Sequence, residues 1–301
     1  MQSSGFGSML LCMEKKEFER FRSLIHQQSG IWLRDGKEVM LSSRLSRRLR
    51  HHNFSNFSEY YAYLSNCKDD GAELEELINC VTTNKTFFFR ESHHFDFLVE
   101  KAVPEALQSF HHAGRSDSKT KRVFRIWSAA CATGEEAFTA AIALLEARLQ
   151  WRLMAPHEWE IRIMASDIDT DVLAKASGGI YSDQELENIP TPLHKKYFLR
   201  GTGSATGKIK IKDEVRSLVE FSRINLVEPR WPLQDTFDAI FFRNALIYFQ
   251  KDTQDMILRR MAKHLKPGGY LFLGHSEHIP WLHGIYKPLH NTVFQLREPL
   301  P

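Results

Sequence analysis

Between residues 123 and 273 short apolar runs alternate with amphipathic stretches, and few architectures satisfy that order. The apolar runs are 123–127, 161–165, 218–221, 237–242 and 270–273, and helix-like spacing occupies 137–148, 171–176 and 253–264. Runs of consecutive apolar residues bury both of their faces, which calls for a parallel sheet covered by helices on each side. In a doubly wound, mostly parallel α/β layer of this kind, ligands bind beyond the carboxyl ends of the strands. One interval breaks the alternation. Between Tyr181 and Val215 the chain reads Gly201-Thr202-Gly203-Ser204-Ala205-Thr206-Gly207 and then Lys208-Ile209-Lys210-Ile211-Lys212. The period of two predicts a strand of a small antiparallel β insertion at about 183–216.

Residues 15–81 follow a different rule. Apolar positions recur there at helical spacing, as Phe18, Phe21, Leu24 and Ile25, then Leu41, Leu45 and Leu49, then Tyr60, Tyr61 and Leu64, then Leu74, Leu77 and Ile78. Turn residues at Ser29-Gly30, 53–58 and Asp69-Asp70-Gly71 separate the runs, so an N-terminal all-α bundle spanning 1–81 is expected. A linker is expected over 82–121, its polar end at 111–122 forming an exposed loop, and the α/β layer over 122–301. Of 301 residues, 26% are charged and 43% hydrophobic, which excludes a disordered chain. The formal charge of +3 is too mild to argue for nucleic acid or a polybasic membrane contact. Cys12, Cys67, Cys80 and Cys131 lie far apart with no CxxC pair, which fits neither a disulfide framework nor a zinc finger and favours a reducing compartment. The first twelve residues read as a loose tail rather than a secretion signal, and no run of 18 apolar residues occurs, so a cytoplasmic protein is expected.

The chemistry concentrates where strands should end. The first strand runs into Ser128-Ala129-Ala130-Cys131-Ala132-Thr133-Gly134-Glu135-Glu136 and a helix. A dinucleotide fingerprint wants three glycines there, and two glutamates in the first helical turn would repel a pyrophosphate, so NAD is disfavoured. Both glutamates also complement a helix dipole without any ligand. The second strand ends Ala165-Ser166-Asp167-Ile168-Asp169, placing an acid where such folds receive ribose hydroxyls. A ribose without a pyrophosphate points to S-adenosyl-L-methionine. Asp169 or Thr170 is read as the N-cap of the next helix, leaving Asp167 as the ligand candidate. Asn244 stands just past the fourth apolar run, and 265–269 (Leu-Lys-Pro-Gly-Gly) form a turn before the fifth.

Thr82-Thr83-Asn84-Lys85-Thr86-Phe87-Phe88-Phe89-Arg90-Glu91-Ser92-His93-His94-Phe95 resembles the signature of the CheR-type chemotaxis receptor methyltransferases. The similarity continues through 125–138, 165–181, 237–249 and 265–277, the last ending Gly-His-Ser-Glu, and covers about 15–298. Ala132 and Ala137 depart from it, standing where many relatives have Ser and Pro. The resemblance implies a class I S-adenosylmethionine-dependent methyltransferase fold with an N-terminal receptor-recognition bundle. It also implies a protein-glutamate O-methyltransferase that modifies chemoreceptors in chemotaxis adaptation, with S-adenosyl-L-homocysteine as product. A glutamate carboxylate, with a pKa near 4.3, is already ionised at neutral pH and needs no general base, so the expected task is alignment and exclusion of water.

Carried over by position, Asn84, Thr86, Arg90, Glu135, Asp167, Asn225, Leu226, Asn244 and Ala245 are expected to bind the cofactor. Arg90 suits a bidentate contact either to the cofactor's methionine carboxylate or to the incoming glutamate. Tyr248 is a candidate for orienting the reacting groups, or else an ordinary buried tyrosine. His93-His94 lack a third spaced ligand, so no metal is expected, and His275 is read the same way. Arg44, Arg47 and Arg48 fall on an exposed face beside the Leu41, Leu45 and Leu49 stripe, either as a solvated basic face or, by resemblance, to steer an acidic receptor helix. Tyr197 to Gly203, with Gly201 and Gly203, resembles an insertion that captures a receptor C-terminal peptide by strand addition. A monomer is expected. Two alternatives stand beside this reading: a non-catalytic cofactor-binding sensor or scaffold, and methylation of nucleic acid, against which stand the low net charge and the lack of an Asn/Asp-Pro-Pro-Tyr sequence.

Overall fold

The computed structural model of the chain describes residues 12–66, 71–112, 122–150 and 159–297. The expected loose start, Cys67, Asp69-Asp70 and most of the loop at 111–122 lie outside the described residues. The chain forms two compact units, one of Met1–Thr83 with Tyr248–Gln250, the other of Asn84–Ile247 with Lys251–Pro301.

Among the described residues the first unit contains four helices, α1 (Lys15–Ser29), α2 (Glu38–His52), α3 (Phe57–Asn66) and α4 (Ala72–Val81). Each buries most of the stripe its spacing prescribes: Phe18, Phe21 and Ile25, then Leu41, Leu45 and Leu49, then Tyr60 and Leu64 joined by Phe57, then Leu77 and Ile78, while Leu24, Tyr61 and Leu74 are only partly buried. Phe21 packs against the rings of Phe57, Tyr60 and Tyr61. Helix α1 stops at Gly30 and α2 at Asn53, both left-handed, with φ of 73° and 58°. The three-residue return segment joins this unit through its backbone. Trp32 N–H donates to the Tyr248 carbonyl at 2.8 Å, and Ile31 bridges Phe249.

In the second unit α5 (His93–Phe97) continues through a wider π-type turn at Leu98–Ala102 into α6 (Val103–His112). The sequence reads this stretch as linker; the structure corrects that. Phe95, Phe97, Leu98, Ala102 and Val103 are buried in the unit's main hydrophobic core, which an extended linker would leave in water. The sheet then builds from β1 (Arg122–Ala129), α7 (Glu135–Gln150), β2 (Trp159–Asp167) and α8 (Thr170–Gly178). A small insertion follows, with β3 (Ile180–Ser182), α9 (Thr191–Tyr197), β4 (Phe198–Arg200), β5 (Lys208–Ile211) and α10 (Asp213–Arg216). The main sheet resumes with β6 (Val219–Arg223), β7 (Phe237–Phe242), α11 (Lys251–His264), β8 (Leu265–Leu273), β9 (Tyr286–Pro288) and β10 (Val293–Leu296).

Strand order is β6-β2-β1-β7-β8-β10-β9, with the first five strands mutually parallel, β10 antiparallel to β8 and β9 antiparallel to β10. The chain reverses its direction of growth between β1 and β7, so the crevice for a ligand opens beyond the carboxyl ends of those strands. All six residues of β7 are buried, Asp238 included. That carboxylate is tolerated because it accepts from the Arg125 amide at 2.8 Å and from Lys266 Nζ at 2.6 Å. The insertion forms a three-stranded antiparallel sheet, β3-β5-β4, whose Ile209 and Ile211 point inward while Lys208 and Lys210 face water. No helix among the described residues is long and apolar enough to cross a membrane.

Candidate active site

The loop after β1 sets the geometry. Ala130, Ala132 and Gly134 all have left-handed backbones, with φ of 58°, 48° and 92°, so two alanines occupy conformations that favour glycine. Gly134 admits no substitute: a Cβ there would stand 2.9 Å from that of Ala176. Thr133 donates to the Glu135 carboxylate at 2.7 Å, and the Tyr181 hydroxyl donates to the Thr133 carbonyl at 2.7 Å. Glu135 is only 5% exposed, and among the described residues no cation pairs with it. Burial raises its pKa despite the hydrogen bond from Thr133. A buried anion at the crevice edge without a protein counter-ion fits a ligand carrying positive charge, as a sulfonium or amino group does.

Asp167 ends β2 and ties the neighbouring loops together. Its Oδ2 accepts from the Ala132 amide at 2.9 Å and its Oδ1 from the Asp169 amide at 3.0 Å, while burial raises its pKa. Each oxygen keeps a lone pair for a ribose hydroxyl. Asp169 is the N-cap of α8, accepting from the amides of Asp171 and Val172, and its other oxygen accepts from Asn84 Nδ2 at 2.7 Å. Thus Asn84 is drawn to the end of β2. Ile224 N–H donates to the Asp167 carbonyl at 3.0 Å, which sets Asn225 and Leu226, both buried, beside the same strand end.

Beyond β7 a second cluster forms. Asn244 is left-handed, with φ of 58°. Its amide and that of Gly274 both donate to Glu277 Oε2, at 2.9 and 2.7 Å, and Ala245 behind it is buried. A Cβ on Gly274 would lie 2.3 Å from Asn244 Nδ2, so the close approach requires glycine. Arg90 sits in a turn between two more left-handed residues, Phe89 (56°) and Glu91 (55°), and donates through Nη1 to the Lys85 carbonyl at 3.0 Å. Thr86, half-buried, lies in the same stretch.

The structure therefore gathers Asn84, Glu135, Asp167, Asn225, Leu226, Asn244 and Ala245 at the carboxyl ends of β1, β2, β6 and β7, with Arg90 joined to Asn244 through Glu91. Arg44, Arg47, Arg48 and Tyr248 belong to the helical unit, and Gly201 and Gly203 to the tip of the insertion. The expectation that Arg44, Arg47 and Arg48 share an exposed face is corrected. Arg48 lies in a buried pair with Glu73, and Arg44 donates to the Thr82 carbonyl at 2.8 Å and to Thr83 Oγ1 at 3.0 Å; Arg47 stays exposed, with Arg50. The required glycine at 201 closes the hairpin, since a Cβ there would meet the Ala205 carbonyl oxygen at 2.0 Å. A third potential donor beside His93 and His94 is also present, Glu91, which spacing alone did not count. The guanidinium of Arg243 lies 3.4 Å from that carboxylate, and His94 Nε2 is occupied by the Asn291 carbonyl at 2.7 Å, so charge there is already balanced by protein groups. Sequence reasoning missed Glu91, Glu136, Arg243 and Glu277. A cation directly following the four apolar residues Ala239-Ile240-Phe241-Phe242 was the available signal for Arg243.

Fold and site together define a class I S-adenosylmethionine-dependent methyltransferase. Family comparison places the two units separately: residues 84–294 match the CheR methyltransferase SAM binding domain, and residues 16–82 match the CheR methyltransferase all-alpha domain. The chain belongs to the CheR methyltransferase family. It is 42% identical over 301 residues to the chemotaxis protein methyltransferase of Salmonella typhimurium, covering 98% of this chain and 97% of that one. It is 39% identical over 289 residues to chemotaxis protein methyltransferase 2 of Pseudomonas aeruginosa, covering 96% of each. The Escherichia coli chemotaxis protein methyltransferase is 39% identical over 288 residues, covering 96% of this chain and 93% of its own.

Proposed function

We propose that the chain transfers the methyl group of S-adenosyl-L-methionine to glutamate side-chain carboxylates of chemoreceptors, producing glutamate methyl esters and S-adenosyl-L-homocysteine. The observation that carries this reading is similarity to chemotaxis protein methyltransferases across both units rather than across the cofactor domain alone. When bound, S-adenosyl-L-methionine supplies an electrophilic methyl group attached to a cationic sulfur. Glu135 answers positive charge, Asp167 the ribose, and Asn84, Thr86, Asn225, Leu226, Asn244 and Ala245 complete the cofactor contacts. Arg90 and Tyr248 orient the reacting groups. The acceptor carboxylate is ionised at neutral pH, so no residue of the chain has to move a proton; the chain contributes proximity and dryness.

Arg44, Arg47 and Arg48 in α2 are offered as the receptor-facing region, with Arg47 as its exposed cation. Strand β4 is an edge of the insertion's sheet, which suits capture of a receptor C-terminal peptide by strand addition beside Gly201 and Gly203. We place the protein in the cytoplasm as a monomer. Incubation with methyl-labelled S-adenosyl-L-methionine and chemoreceptor-bearing membranes should give receptor label that mild base releases as methanol. Cofactor binding without receptor label would shift the reading to a sensor or scaffold.

A further inference from the structure

Arg243 is the one arginine or lysine that is buried among the described residues, with 2% of its side chain exposed. It follows β7 directly, and its guanidinium reaches three separate parts of the second unit. Nη1 donates to Glu136 Oε2 at 3.1 Å, on the first turn of α7. Nη2 lies 3.4 Å from Glu91 Oε2 and donates to the Arg90 carbonyl. The Phe95 ring lies beneath the cation at 5.5 Å. Contact to Glu91 is an ion pair by distance rather than an aligned hydrogen bond, since that oxygen has no hydrogen-bond partner.

Charge balance explains part of this arrangement. Ser128 donates to the other Glu136 oxygen at 2.7 Å, and burial alone raises that carboxyl while Arg243 pulls it back. Balancing Glu136 takes one branch of the guanidinium. The second branch is directed elsewhere, at the main chain of Arg90. Phe89 and Glu91, on either side of that peptide, hold left-handed backbones that cost a non-glycine residue about 1–2 kcal/mol each. Such a turn persists only when its surroundings fix it. Phe89 is held by its N–H donating to Thr139 Oγ1 at 3.1 Å, and Arg90 by its carbonyl accepting from Arg243. Glu91 in turn lies 4.0 Å from Arg90 Nε and accepts from Asn244 Nδ2 at 3.4 Å.

We propose that Arg243 is a positioning residue for methyl transfer: anchored by Glu136, it fixes the strained 89–91 turn and so sets the direction of the Arg90 side chain. This rests on the reading that Arg90 serves the reaction. It distinguishes Arg243 from a buried counter-ion, because a counter-ion has no reason to act through Arg90 in particular.

The test is a double-mutant cycle on the full chain with Arg243→Lys, Arg90→Ala and the pair. Arg243→Lys keeps the charge but loses the forked reach to two partners. It should weaken S-adenosyl-L-homocysteine binding or lower turnover by about 10- to 100-fold, as displacement of an aligned group does. In the Arg90→Ala background the same change should cost less than about threefold. Coupling in the calorimetric Kd assigns Arg90 to the cofactor, and coupling in turnover alone assigns it to the incoming carboxylate; either supports the proposal. Equal losses in both backgrounds for both measurements would overturn it. Should Arg243→Lys fail to fold, Glu91→Gln, of equal size, is put through the same cycle with the same expected non-additivity. Calorimetry needs no acceptor, so a protein that binds S-adenosyl-L-homocysteine yet labels no receptor disproves the acceptor reading while the binding cycle stays interpretable.

Discussion

Glu135 is an acid kept out of water with no cation beside it among the described residues, and that imbalance makes its contribution measurable. Glu135→Gln removes the charge at constant size, so the Kd for S-adenosyl-L-methionine should rise by about 10- to 100-fold, the worth of one charge-assisted hydrogen bond. Isothermal titration reads this directly, with circular dichroism as the control for folding. Gly274 provides an independent residue-scale test. Gly274→Ala drives a methyl group into Asn244 Nδ2, so cofactor affinity should fall by about tenfold or more in the same titration while the helical unit is untouched. The sequence made Asp167 and Asn244 visible because each is a polar residue at the end of an apolar run. It gave no sign of the left-handed Ala130 and Ala132, since a left-handed alanine looks like any other until the loop around it is known. Nor did it reveal that Asp167, the proposed ribose acceptor, also brackets two backbone amides.

Helix α2 shows what an amphipathic pattern settles and what it leaves open. Leu41, Leu45 and Leu49 are buried as their spacing requires, yet the arginines beside them are not equivalent. Arg48 is taken up by Glu73, a residue on α4, and a partner so distant in sequence cannot be read from the pattern of α2 alone. Burial would raise the Glu73 carboxyl, but hydrogen bonds from Arg48, Tyr60 and His52 outweigh it and hold its pKa below the usual range. Glu73→Gln should therefore cost about 3 kcal/mol, because it breaks the buried pair and leaves Arg48 with the more exposed Glu76 as its ion-pair partner among the described residues. Urea unfolding monitored by tyrosine and tryptophan fluorescence gives the value. Arg48→Glu would confuse folding with recognition by setting a second carboxylate against Glu73. A cleaner probe of the receptor-facing proposal is Arg47→Glu with Arg50→Glu, both exposed. Receptor methylation should drop by about tenfold in that double variant with S-adenosyl-L-homocysteine affinity unchanged, a salt-sensitive steering effect; unchanged methylation would remove α2 from the proposal. Strands β9 and β10 escaped the sequence reading for a related reason. Three and four residues long, one ending in Pro288, they lack the length that marks β1 or β7.

At the scale of the whole molecule, acid should weaken the fold through His94. Burial, helped by Arg243, lowers its pKa from 6.5 to about 4, so it is neutral in the folded state at neutral pH. Between those two values the unfolded chain binds a proton that the folded chain refuses, and stability falls as pH drops. This group alone should account for a loss on the order of 3 kcal/mol from pH 6.5 to pH 4. His94→Gln should flatten that part of the profile when urea midpoints are compared across the range, whereas a variant with the wild-type slope would locate the acid sensitivity elsewhere. The order of helices and strands along the chain was legible because the hydrophobic period changes from helical spacing to continuous apolar runs. The membership of each compact unit was not, because the chain crosses between them more than once. Residues Tyr248–Gln250 lie in the last fifth of the sequence and yet pair by backbone with Ile31 and Trp32. Exchange of modules between relatives by a single crossover near residue 83 would deliver a helical unit lacking its own return segment. A faithful chimera has to import two separate pieces of sequence, and natural recombination faces the same requirement, which ties the inheritance of the helical unit to three residues embedded in the other one.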